Sequence, residues 1–170
     1  MIHIYTGEGK GKTTAALGLA LRAIGAKKKV VILQFMKKAG FSEHKAIEEF
    51  NLPISIKSFG IGFYKILGDK KPESEHKKAA QKALEKTRQI VKDKEFDLII
   101  LDEINVAIDN KLIDVQEVIE IIGLNKKAEL VLTGRNAHSK LKKIADLVTV
   151  MKKDKHYFDT GTKARKGIEY

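Results

Sequence analysis

The sequence predicts a three-layer α/β fold built on a mostly parallel sheet of five or six strands. Three observations predict it. Short apolar runs alternate with amphipathic helical segments from end to end. Two runs, Val30-Val31-Ile32-Leu33 and Leu98-Ile99-Ile100-Leu101, are apolar at every position, as strands covered on both faces must be. A glycine-rich turn joins the first strand to the first helix. There is no internal repeat and no linker, so the 170 residues are expected to form one domain, 1–170.

In order, residues 2–5 predict a strand and 12–24 an Ala- and Leu-rich helix, followed by the strand at 30–33. A short helix over 43–50 and a strand over 54–59 come next, then a loop through Gly60-Ile61-Gly62-Phe63-Tyr64. Residues 73–94 predict a long helix: Ala80, Leu84, Thr87 and Val91 share one face, with Ala83 and Ile90 beside them. Pro72 stands just before it, where a helix tolerates proline. After the strand at 98–101 the pattern predicts a helix at 115–122, a strand at 130–132, a helix at 138–145 and a last strand at 147–150. Parallel neighbours joined by helices imply right-handed crossovers.

Composition narrows the function. Hydrophobic residues make up 43% and charged residues 32%, the balance of a globular chain. No apolar run approaches a membrane span, and a strand starting at Ile2 leaves no room for a leader, so a cytoplasmic protein is expected. With no cysteine there is no disulfide, thiolate metal site or cysteine nucleophile. The net charge of +11 favours polyanions, but the cations are scattered and aromatics reach only 6%, which points to a Lys-rich solvated surface rather than a nucleic-acid site.

The strongest motif is Thr6-Gly7-Glu8-Gly9-Lys10-Gly11-Lys12-Thr13-Thr14. A phosphate loop is Gly, four residues, then Gly-Lys-Ser/Thr between a strand and a helix. Gly11-Lys12-Thr13 supplies the end, but Thr6 stands where the first glycine belongs, and Gly7, Gly9 and Gly11 alternate instead. The physics survives the shift: backbone N–H groups can converge on an anion, helped by the helix N-terminus. Lys12 can reach phosphate oxygens, Thr13 offers a hydroxyl to Mg²⁺, Thr14 offers one to a phosphate, and Lys10 adds a second cation. Glu8 must point away from the phosphates or meet sugar or base.

The buried strand at 98–101 delivers Asp102-Glu103 to the carboxyl edge of the sheet, the edge that faces a ligand crevice. A carboxylate there can hold Mg²⁺ opposite Thr13. Arg135, in Thr133-Gly134-Arg135 after another strand, is expected at the same edge. The five histidines show no metal-ligand spacing. The segment after Lys155 has little periodicity and by pattern alone is a loose end.

Together these residues resemble the P-loop corrinoid adenosyltransferases. The resemblance runs through Tyr5 to Ala16, Arg22-Ala23, Gln34-Phe35-Met36-Lys37, Gly62-Phe63, Leu101-Asp102-Glu103, Leu132-Thr133-Gly134-Arg135 and Ala145-Asp146-Leu147-Val148. It ends on Lys155-His156, Gly161, Ala164 and Gly167-Ile168-Glu169-Tyr170. The shifted loop is the form this family uses. The resemblance implies a P-loop NTPase-like fold and transfer of the 5′-deoxyadenosyl group of ATP to Co(I) of a corrinoid, with release of triphosphate. It implies triphosphate contacts from Gly9, Lys10, Gly11, Lys12 and Thr14, and Mg²⁺ contacts from Thr13 and Glu103; Thr6, Gly7, Thr13 and Arg135 are expected in the same ATP site, Arg135 either neutralising phosphate or pairing with an acid. It further implies Lys12 and Phe63 as catalytic residues, Phe63 as an aromatic that displaces the lower ligand of cobalt. Where better-known members have a second aromatic, a Trp, this chain has Lys65. A homodimer and a reduced flavoprotein as electron donor are implied as well, with no membrane or nucleic-acid partner. From the residues alone, a P-loop kinase or NTPase and an ATP-dependent nucleic-acid-binding module stay open beside that enzyme.

Overall fold

The computed structural model describes residues 1–62, 64, 65, 69 and 71–170. Among the described residues are six strands: β1 (Ile2–Thr6), β2 (Val30–Gln34), β3 (Ile54–Ser58), β4 (Leu98–Asp102), β5 (Glu129–Thr133) and β6 (Leu147–Val150). They form one sheet in the order β3-β2-β4-β5-β1-β6, and every pairing is parallel. Helices supply the crossovers: α1 (Lys12–Gly25), α2 (Ser42–Glu49), α3 (Glu73–Asp93), α4 (Ile104–Asp109), α5 (Val115–Leu124) and α6 (Ser139–Ile144).

Alternation along the strands builds two cores. Val30, Ile32, Leu98, Ile100 and Val131 pack with Ala16 and Ala20 of α1 on one face. Val31, Leu33, Ile99, Leu101, Leu130 and Leu132 turn to the other, where α3, α4, α5 and α6 cover them. This is the predicted three-layer fold, similar to that of P-loop NTPases. The small alanines of α1 let its backbone lie close to the sheet, which brings its N-terminus up to the strand ends.

On α3 the buried face carries His76, Ala80, Ala83, Leu84, Thr87, Ile90 and Val91. Thr87 is polar but satisfied, since its hydroxyl donates to the Ala83 carbonyl at 2.8 Å. Two features depart from the sequence expectation. The six-residue helix α4 follows directly on β4, too short to show a helical period. And β6, though apolar, is an exposed edge strand at all four positions. Among the described residues no helix is long and apolar enough to cross a membrane.

Candidate active site

Four strands end on a buried polar residue: Gln34 on β2, Asp102 on β4, Thr133 on β5 and Thr6 on β1. Since β2, β4, β5 and β1 are parallel neighbours, these side chains form a row along one edge of the sheet. Buried polar groups must find partners, and Gln34, Asp102 and Thr133 find each other. Asp102 is the hub. Its Oδ1 accepts from Thr13 Oγ1 and from Thr133 Oγ1, both at 2.8 Å. Its Oδ2 lies 3.1 Å from Lys37 Nζ and 3.3 Å from Gln34 Nε2. The Thr133 hydroxyl also accepts from the Glu103 N–H at 2.9 Å. Burial works against the charge of Lys37, yet Asp102 and Glu43 outweigh it and hold the ammonium above its ordinary pKa.

The loop between β1 and α1 crosses this edge. Its glycines answer to the strand beside them as much as to a ligand. Gly7 takes a positive φ of 103°, and a Cβ there would fall 2.4 Å from the Met151 carbonyl oxygen. A Cβ on Gly9 would fall 2.6 Å from that of Lys152. Gly9 donates its N–H to Met151 O at 2.7 Å, and the Met151 N–H donates to Thr6 O at 2.8 Å. So the chain leaving β6 runs flush against the loop and leaves no room for side chains. Gly11, also at positive φ, caps α1. Lys12 opens that helix and folds back, donating to the Gly7 and Gly9 carbonyls at 2.7 Å each. Desolvation lowers its pKa, with Glu103 acting in the opposite direction.

A cleft of about 360 Å³ lies over the N-terminus of α1. Lys12, Thr13 and Thr14 form its floor, Lys37, Glu103 and Arg135 line it, and residues from the end of the chain close it. Arg135 Nε sits 3.3 Å from Glu8 Oε2, and both side chains line the cleft. Glu103 adopts a left-handed backbone, φ 62°, uncommon for a residue with a Cβ. Asp102 ends the strand and Glu103 begins the turn, so the two acids part. Asp102 is bonded under the loop, while Glu103 lines the cleft. Burial, and then the charge of Asp102, raise the Glu103 pKa; Lys37, Lys12 and Arg135 pull it back only in part.

The profile of the family described as ATP:corrinoid adenosyltransferase BtuR/CobO/CobP matches residues 1–170. The chain belongs to this family. A corrinoid adenosyltransferase of Sinorhizobium is 36% identical over 174 residues, covering 100% of this chain and 80% of that one. The corrinoid adenosyltransferases of Escherichia coli K12 and Salmonella typhimurium LT2 are each 30% identical, covering 100% of this chain and 85% of theirs. The family's activity, ATP-dependent adenosylation of corrinoids, is that of an enzyme.

Within this chain the predicted residues separate. Gly9, Lys10, Gly11, Lys12, Thr13, Thr14, Glu103 and Arg135 come together around the cleft. Thr6 and Gly7 lie behind it, beside Val150 and Met151, and the Thr6 hydroxyl accepts from the Ala137 N–H at 3.2 Å. The Gly9 N–H is already spent on Met151. Phe63 lies outside the described residues. Sequence reasoning passed over Lys37, Gln34 and Thr133 as site residues. The signal was present in Gln34, one polar residue closing an otherwise apolar strand, in register with Asp102.

The donor set suits Mg²⁺. Among the described residues no three His, Asp or Glu side chains cluster as a metal cage. Mg²⁺ needs none, since it binds through one or two protein oxygens, substrate phosphates and water. Among those residues nothing donates to the Glu103 carboxylate. A hard oxygen donor under repulsion from Asp102, in the cleft that Thr13 also lines, is what such an ion would relieve.

Proposed function

We propose that the chain transfers the 5′-deoxyadenosyl group of ATP to the cobalt of a reduced corrinoid, making adenosylcobalamin or a precursor in cobalamin biosynthesis or salvage. One observation carries the reading: a cleft at the N-terminus of α1, ringed by Lys12, Thr13, Thr14, Lys37 and Arg135, in a chain that its family matches from end to end.

The electron pair of Co(I) attacks C5′, the Co–C bond forms, and the C5′–O bond breaks as triphosphate leaves. Charge develops on phosphate oxygens, so the groups that matter are those facing the leaving group. Lys12 meets it directly, giving up its bonds to the Gly7 and Gly9 carbonyls. The amides of Gly11, Lys12 and Thr13 point the helix terminus at it. The Thr14 hydroxyl and Arg135 add donors, while Lys10 contributes its backbone. Thr6, Gly7 and Gly9 give the loop its shape. Thr13 and Glu103 would hold Mg²⁺, which supplies further charge neutralisation on the triphosphate. Because cobalt is the nucleophile, no hydroxyl or thiol nucleophile and no general base is required of the protein. On the same reading Phe63 faces the lower side of the corrinoid, a reduced flavoprotein supplies the electron, and the enzyme works as a cytoplasmic homodimer without nucleic-acid or membrane partners.

The test is product analysis. Anaerobic incubation with ATP, Mg²⁺ and a Co(I) corrinoid should give a light-sensitive Co–C spectrum and one intact triphosphate per adenosyl group. ADP or orthophosphate without that spectrum would overturn the reading in favour of a kinase or NTPase.

A further inference from the structure

The end of the chain, aperiodic in sequence, is held down by one loop residue. Lys10 Nζ donates to Tyr157 Oη at 2.7 Å, to Glu169 Oε1 at 2.8 Å and to the Ile168 carbonyl at 3.0 Å. An ammonium has three N–H donors, so all are used. Glu169 is fixed from other sides as well. Tyr157 Oη donates to the same carboxylate, and the Arg165 N–H donates to Glu169 Oε2 at 2.6 Å. The Arg165 guanidinium lies 3.3 Å from Oε1 and stacks 4.7 Å from the Tyr157 ring centroid. At the far end, Ser42 Oγ donates to the Tyr170 backbone oxygen at 2.8 Å, joining the tail to α2.

An isolated exposed Lys–Glu pair is worth little. This one differs because the Glu169 side chain is only 18% exposed and sits in a network of charge-assisted bonds. It also differs from the neighbouring cations. Lys12 spends two donors on neutral carbonyls, which a triphosphate can displace. Lys10 faces a carboxylate that two further groups hold in place.

We propose that the Lys10 side chain is a tail anchor and not a phosphate ligand, and that Glu169 is a positioning residue whose bond to Lys10 keeps residues 156–170 in place as a wall of the ATP cleft. His156, Ile168 and Glu169 line that cleft, so loosening the anchor loosens the wall. The assignment of ATP to the cleft rests on the function proposed above; the anchoring itself does not.

Two measurements test it. Lys163, Arg165 and Lys166 are exposed tryptic sites within the tail. In nucleotide-free protein, Lys10→Met and Glu169→Gln should each speed cleavage there by at least on the order of tenfold, since each breaks the charge-assisted Lys10–Glu169 bond and proteolysis follows the open population. The effect of the double variant should fall well short of the product of the two single effects, and Lys10→Arg should restore protection. The same variants should raise KM for ATP more than they lower kcat, with Lys10→Arg again rescuing. Unchanged cleavage in Lys10→Met, or independent effects that multiply in the double variant, would overturn the anchor. Loss of the ATP effect with the cleavage pattern intact would leave the anchor standing and remove the wall from the ATP site.

Discussion

Thr13 Oγ1 lies 2.8 Å from Asp102 Oδ1, and this bond ties the first turn of the phosphate-loop helix to the end of the central strand β4. Because Asp102 also accepts from Thr133 and pairs with Lys37, four segments meet at one buried carboxylate.

Removing that carboxylate should be costly. Asp102→Ala leaves Lys37 without its closest counter-charge and strands two hydroxyls. We expect a loss of about 3–5 kcal/mol in unfolding free energy, the range for breaking one side of a buried ion pair. Urea denaturation of the two proteins measures it. A loss below about 1 kcal/mol would mean that Asp102 is not the hub.

Lys12→Ala separates chemistry from folding. The lysine is desolvated and bonded only to loop carbonyls, so its removal should leave the melting temperature within a few degrees of wild type. Adenosyl transfer should fall by a factor on the order of a hundred or more, as for loss of a donor to developing charge. Near wild-type turnover would show that the leaving group is held elsewhere.

Glu103 predicts an unusual pH dependence. An acid whose pKa is raised by folding binds more protons in the native state. Stability from this group therefore falls as pH climbs from the ordinary carboxylate range through the raised value, and is level above it. Glu103→Gln should consequently melt higher than wild type near about pH 8 without Mg²⁺, and the gain should shrink toward about pH 4. The same variant should lose Mg²⁺-dependent transfer. A variant less stable than wild type at the higher pH would contradict the repulsion between the two acids.

Gly9→Ala tests the contact with the chain leaving β6. The added Cβ would stand 2.6 Å from the Lys152 carbonyl oxygen, and backbone is what must give way. We expect a loss of roughly 1–3 kcal/mol, similar to overpacking a tight interior, together with weaker ATP binding. Calorimetry and nucleotide titration report both, and an unchanged protein would show that residues 151–152 yield freely.

Phe63→Ala should act selectively. With Co(II) corrinoid and a reductant the rate should drop much more than with preformed Co(I), because only the first requires release of the lower ligand. Equal losses would argue against an aromatic wedge.

The sheet and its helices were legible because burial imposes a period, and Leu98 to Leu101 could hardly be anything but a covered strand. The glycine-rich loop and Glu103 were picked out together, and they do line one cleft. The division of labour between Asp102 and Glu103 was not legible, since nothing in Asp-Glu says that the chain turns left-handed at the second residue and sends the two carboxylates apart. Helix α4 escaped notice because six residues make less than two turns. The tail escaped pattern analysis because polar bonds from Lys10, Tyr157 and Arg165 hold it, and such bonds leave no hydrophobic period. The resemblance did pick out its residues, but not what they touch.

The bonds between Gly9 and Met151, and between Lys10 and Glu169, set an order of events during synthesis. The loop precedes in the chain every partner that shapes it here, so it is made before they are. β1 in particular must wait for β5 and β6 before either of its edges is paired. A nascent chain lacking β6 and the segment after it has no finished loop between β1 and α1, so a ligand of that loop cannot assist folding before those segments are made.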